Sequence, residues 1–239
     1  MRPLVFVVAG LILISEPAMA QQLTLDLGDG ASLSTRAVQL LALVTVLSLV
    51  PGLAVMVTCF PFIVTVLSIL RQAIGLQQSP PNMLIVSLAL FLTWFVMDPV
   101  FTEAYVKGIE PLSRNALGFE DAFSATLAPF RVFMSARMDA DTFAALQALR
   151  PGENTPPLQA PLSLLVPSFL LSEVQRAFEI GFLVFLPFLI IDLVVAAVLM
   201  SMGMMMVPPA VVSMPFKLAF FVVADGWALI SGALVRSYF

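Results

Sequence analysis

Residues 167–209 read PSFLLSEVQRAFEIGFLVFLPFLIIDLVVAAVLMSMGMMMVPP. Pro167-Ser168 is a helix start, and the apolar run behind it carries the helix past Gly181 to Pro187 and on to Met200. From Gly203 to Pro209 the glycine and the paired prolines break it, and apolar sequence resumes from Val211 to about Val235. The C-terminal third is therefore a long helical hairpin folded at a methionine-rich turn.

The rest of the chain is as apolar. Of 239 residues, 60% are hydrophobic and 11% are charged, where an ordinary soluble domain has roughly a quarter charged. So much apolar surface requires lipid or an extensive partner interface. The net charge of −4, without a clustered basic run, lacks the electrostatic footprint of a nucleic-acid binder. With no histidine in the sequence, Ser-His-Asp and Cys-His mechanisms and histidine metal sites are excluded. Cys59 is the only cysteine, which rules out an intramolecular disulfide or a CxxC site and leaves it to pack. No Gly-x-Ser-x-Gly or phosphate loop is present. Neither an enzyme nor a bound cofactor or metal is expected.

Four segments follow along the chain. Residues 1–20 combine Arg2, an apolar run from Leu4 to Ile14 and an Ala18-Met19-Ala20 end, the pattern of a cleavable secretory signal, with the mature chain beginning near Gln21. Residues 21–97 form an N-terminal apolar hairpin. Between Arg36 and Arg71 no residue is charged, and a single helix there would reach about 50 Å against a hydrocarbon core of about 30 Å. A bent helix or two unequal helices, broken at Pro51-Gly52 or Pro61, fit better. A turn through residues 75–82, with Pro80 and Pro81, leads to a second arm from Met83 to about Met97, ending at Asp98-Pro99.

Residues 98–161 are hydrophilic, with Lys or Arg at 107, 114, 131, 137 and 150 and Asp or Glu at 98, 103, 110, 120, 121, 139, 141 and 153. The acidic excess places this insert outside the cytoplasm. Within it Phe119, Phe123, Leu127, Phe130 and Met134 recur every three or four residues, an amphipathic helical face interrupted near Pro129. Residues 162–239 are the C-terminal apolar hairpin. The fold class is all-α, with long broken hairpins around one extracytoplasmic insert.

Charges in the last segment need partners, because an isolated buried charge costs several kcal/mol. Glu173, Arg176 and Glu179 lie three apart on one helical face, where Arg176 can bridge both carboxylates. Lys217 has no acid three or four positions away, so a partner at longer range is expected, Glu173 or Glu179 of the same or another copy. A proton path through these acids is the alternative. Met200, Met202, Met204, Met205 and Met206, with Gly203 among them and Pro208 and Pro209 beyond, offer flexible thioethers. They suit a gap in a core or a deformable seal, the seal requiring several copies around an axis. Methionine-only metal ligation is disfavoured, with no Cys or His nearby.

The block at 167–209 and MPFKLAFFVVADGWALI at 214–230 closely resemble the FliP family, the flagellar biosynthetic protein of the type III export gate. LRQAIGLQQSPPN at 70–82 and LALFLTWFVMDPV at 88–100 extend the resemblance over more than half of the mature chain. One departure is Phe62, where the family usually has an arginine before the isoleucine. The resemblance implies a homo-oligomer of five copies with FliQ and FliR in the bacterial inner membrane, at the flagellar basal body. Parts would face the periplasm, neighbouring export-apparatus proteins would contact it, and unfolded flagellar proteins would pass through the channel. It also implies that Met204, Met205 and Met206 form the gasket, that Gly203, Pro208 and Pro209 give it flexibility, and that Glu173 and Lys217 stabilise subunit contacts. The virulence injectisome counterpart shares the DGW and methionine motifs but typically lacks the signal and so long an insert. A proton-coupled transporter using Glu179 and Asp192 is the rival of another class.

Overall fold

The computed structural model describes residues 33–75, 80–150, 155–204 and 206–239. The expected signal at 1–20 lies outside them. The described residues are helical, with no strand among them, so the all-α reading holds. The chain divides into two compact units, Met1–Ser48 and Leu49–Phe239. The first contributes the start of helix α1 (Leu33–Met56), and everything below concerns the second.

The uncharged stretch expected to break does so. α1 ends at Met56 and α2 spans Phe60–Ile74, two unequal helices, with Pro61 in the first turn of α2. Proline is tolerated there because the first-turn N–H has no intrahelical acceptor to lose. Position 51 lies inside α1 and does not break it. α2 is the centre of the core. Phe62, Ile63, Val66, Leu67, Leu70, Ala73 and Ile74 fall on one face and are buried, packed between α3 (Asn82–Ala104) and α7 (Leu162–Ser201). At Gly181 of α7 an added Cβ would lie 2.3 Å from the Ile69 side chain, so the absence of a side chain lets α2 and α7 approach closely. Cys59, at the N-cap of α2, is buried, and burial pushes its thiol up to about 12. It packs as a neutral group.

Two prolines expected to end or interrupt helices, Pro99 and Pro129, do not, and one expected to start a helix, Pro167, lies inside it. The second arm was expected to stop at Asp98-Pro99, but α3 runs through Pro99 to Ala104 and continues through a π-helical turn (Tyr105–Ile109) and α4 (Glu110–Ser113). Pro99 is exposed whereas Val96, Met97 and Ala104 are buried, so the proline's defect faces outward while packing holds the inner face. α5 (Phe119–Arg137) is continuous through Pro129. Of its expected apolar face, Met134 is buried and Phe130 packs on the core, while Phe119 and Phe123 are exposed and stack on each other at 6.4 Å. α7 begins at Leu162 rather than at Pro167 and passes through both Pro167 and Pro187.

The hydrophilic insert is thus helical. After α5 come α6 (Ala140–Ala148) and a 3-10 turn (Pro157–Gln159). α6 is capped by Asp139, whose carboxylate accepts hydrogen bonds from the Thr142 N–H and hydroxyl, both at 2.8 Å. The final apolar run is two helices, α8 (Pro209–Val223) and α9 (Gly226–Arg236), not the one expected from Val211 to Val235. They are bent by 62° at Asp225, which adopts left-handed φ 47 and ψ 48.

By length and composition Ala37–Met56, Asn82–Ser113 and Leu162–Ser201 can each cross a membrane, and α8 with α9 can make a fourth, broken span. At 1.5 Å per residue the 40 residues of α7 extend about 60 Å, twice the hydrocarbon thickness of about 30 Å.

Candidate functional site: the methionine turn and its braces

Leu199 to Pro209 build the turn between α7 and α8 by two local rules. Gly203 adopts φ 74, the left-handed conformation in which a Cβ is unfavourable. Its N–H donates to the Met200 carbonyl (3.1 Å) and the Met204 N–H to the Leu199 carbonyl (3.0 Å), the paired bonds of a Schellman stop. At the other side Pro208 is extended at the N-cap and Pro209 occupies the first turn of α8, where its fixed φ preorganises the helix. The turn presents its thioethers outward. Met206 is 97% exposed and Met204 38%, and Met200 and Met202 are also exposed. None of these four fills a core of this chain. Met205 lies outside the described residues.

A brace closes the hairpin below the turn. Lys217 Nζ lies 2.7 Å from Asp192 Oδ2 and donates to the Ala73 carbonyl at 3.0 Å, and the Ser213 hydroxyl donates to Asp192 Oδ1 at 2.5 Å. The expected pairing of Lys217 with Glu173 or Glu179 is not formed within the chain. The hairpin register explains this: Asp192 lies nine residues before Ser201 at the end of α7, and Lys217 eight after Pro209 at the start of α8. Glu173 is nineteen residues further back, about 28 Å along the helix. Three helices meet at Lys217, because Ala73 belongs to the last turn of α2. A cation there also suits the carbonyl-rich helix end.

A second cluster surrounds Glu173, whose side chain is fully buried. Its Oε1 lies 3.1 Å from Arg137 Nε and 3.5 Å from Arg176 Nη1, and its Oε2 accepts a hydrogen bond from the Tyr238 hydroxyl. Arg137 Nη1 donates to the Ser237 carbonyl at 2.8 Å, and the guanidinium sits 4.0 Å from the Tyr238 ring centroid and 5.9 Å from that of Phe62. Burial, then the Glu173 charge, raise the Tyr238 pKa, so its hydroxyl stays a donor. Phe62 meets Tyr238 edge-on at 5.6 Å. Arg176 reaches Glu173 but not Glu179. Helical side chains lean toward the N-terminus, which favours the partner three residues earlier, and Arg176 also donates to the Arg137 carbonyl. Glu179 is exposed and accepts from Gln175 Nε2 at 3.0 Å. Sequence spacing missed Arg137, Tyr238, Asp192 and Ser213 as partners because all of these contacts are long-range. Among the described residues no group of three His, Cys, Asp or Glu could hold a metal.

The model of the FliP family matches residues 43–234. The flagellar biosynthetic protein FliP of Caulobacter vibrioides is 53% identical over 92% of this chain and 84% of its own length. That of Agrobacterium fabrum is 42% identical over 98% of both chains, and that of Bacillus subtilis is 44% identical over 84% of this chain and 91% of its own.

Proposed function

From the premise that this chain belongs to the FliP family and is a membrane component of the flagellar export apparatus, we propose that it builds the export channel. Several copies, five by the family resemblance, surround an axis together with FliQ and FliR in the inner membrane, with the insert on the periplasmic side. Unfolded flagellar proteins pass along the axis. Met204, Met205 and Met206 of each copy close the channel at rest and deform around the moving chain, with Gly203, Pro208 and Pro209 holding the turn that presents them.

The observation that carries this reading is the exposure of Met206 at the tip of the turn. An unbranched thioether contributes little as a solvated side chain, whereas against its copies around an axis it packs without demanding one geometry. The length of α7 agrees, since about half of its apolar surface exceeds a single bilayer crossing of about 30 Å and needs protein to cover it. The proton-coupled transporter reading is weaker, because Asp192 is already held by Lys217 and Ser213.

Replacing Met204, Met205 and Met206 together with alanine tests the gasket. Expected are an assembled complex and a raised leak of small ions, measured as conductance or as growth sensitivity when the complex is expressed. A complex that assembles, stays tight and secretes normally would count against the gasket.

A further inference from the structure

The buried side chains of α8 are Ser213, Lys217 and Phe221, four residues apart on one face. Phe221 makes an aromatic contact, 6.3 Å from Phe188 of α7 and edge-on to Trp227 at 5.3 Å. The other two, nearer the methionine turn, are polar and reach one carboxylate of α7. The Ser213 hydroxyl donates to Asp192 Oδ1 at 2.5 Å, and Lys217 Nζ lies 2.7 Å from Oδ2. Lys217 also donates to the Ala73 carbonyl at 3.0 Å, one of the last-turn carbonyls of α2 that no helical N–H reaches. Near the turn α8 is therefore held against two helices by directional contacts.

Stability does not explain why an apolar hairpin keeps these groups. A buried ion pair can often be replaced by apolar residues of similar volume without loss. Register explains them, because apolar helix faces hold together at several alignments whereas a polar contact is satisfied at one. One turn from Asp192 on α7 stand Phe188 and Ala196. A slip of one turn, about 5 Å, would leave Lys217 facing apolar side chains. The chain between this contact and the tip has little freedom to absorb such a slip. Ser213 lies one turn past Pro209, Pro208 and Pro209 have fixed φ, and Gly203 forms the left-handed stop after α7. A change of register at Ser213 therefore moves Met206 with it.

We infer that Asp192, Ser213 and Lys217 form a register pin, which holds the methionine turn at one height so that copies of the chain present Met206 level with one another. This rests on the reading that the turns of several copies close a channel. Flexible thioethers adapt to differences of shape, but not to a tip displaced by a whole helical turn.

The test uses the complex assembled from this chain and its partner subunits, with Met204 to Met206 intact. Asp192→Leu, Ser213→Ala and Lys217→Met are combined, which removes the polar contacts and leaves no charge unpaired. Expected is an assembled complex with a thermal midpoint equal to or above that of the unchanged protein, and a leak of small ions raised several-fold. A triple variant that assembles and stays as tight as the unchanged protein overturns the pin. If the triple variant does not assemble, two single changes decide. Lys217→Arg, which keeps a cation facing Asp192, should leak several-fold less than Lys217→Met, and equal leaks overturn the pin. Replacement of Met204, Met205 and Met206 with alanine separates this inference from the reading beneath it. A leak there with none in the triple variant removes the pin and leaves the gasket standing, whereas tightness in both removes both.

Discussion

A single buried carboxylate ties together parts of the chain far apart in sequence. Glu173 receives Arg137 from the insert, Arg176 from its own helix and Tyr238 from beyond α9. Removing Glu173 leaves the half-buried guanidinium groups of Arg137 and Arg176 and the Tyr238 hydroxyl without their shared acceptor. Glu173→Ala should destabilise the protein by about 3–5 kcal/mol, and Tyr238→Phe by a smaller ~1–3 kcal/mol, read from denaturation of the purified protein in detergent. An unchanged Glu173→Ala midpoint would remove the cluster from the account of stability. Asp139 gives a pH dependence whose sign is fixed. Hydrogen bonds from the Thr142 N–H, then its hydroxyl, lower its pKa, so its stabilisation of α6 is complete above the unfolded value of about 3.9 and fades as pH falls through the lowered folded value. Protection factors of the α6 amides, with the intrinsic pH dependence of exchange divided out, should fall in that acid window, and Asp139→Ala should abolish the change. At this scale the sequence showed which charges needed partners but not which they had. Arg137 is 36 residues from Glu173, in a segment whose composition reads as a hydrophilic connection.

Helix boundaries divide into those made by local chemistry and those overruled by packing. The break after Gly203 was legible, with the helix restarting at Pro209 rather than at the expected Val211, because a left-handed glycine and a first-turn proline act through their own backbone. Continuity through Pro187 was legible as well, whereas Pro99, Pro129 and Pro167 were not, since each interior proline loses one hydrogen bond at about 3 kcal/mol while the neighbouring turns keep theirs. The bend at Asp225 carried the opposite lesson, a non-glycine residue in the left-handed region that no apolar pattern announces. The brace beneath the methionine turn acts between elements. Asp192→Asn leaves Lys217 charged with the Ala73 carbonyl as its remaining partner, so it should cost more stability than Asp192→Asn combined with Lys217→Met. Additive losses in thermal denaturation would mean that the two residues act separately.

For the whole molecule, apolar composition alone asked for lipid or a partner surface, with the membrane first. The lengths of the elements separate them. α1 (Leu33–Met56) and the apolar first part of α3 suit one bilayer crossing, but α7 is about 60 Å long, twice what a membrane of about 30 Å covers. The family was legible from blocks of sequence spread along the chain. An arrangement of copies is not legible in the same way, because any residue of an interface between copies would read from one chain as an exposed apolar group. Met206 is the extreme case. In isolation its exposure is a cost, and in the proposed ring it would become a contact between equivalent atoms. The most direct measurement places cysteine at position 206 in every copy, in a Cys59→Ala background, and asks whether oxidation joins identical chains within the assembled complex. Convergence of the turns on one axis requires a disulfide between copies, formed without loss of assembly. An intact assembly in which position 206 never joins one copy to another would contradict the gasket.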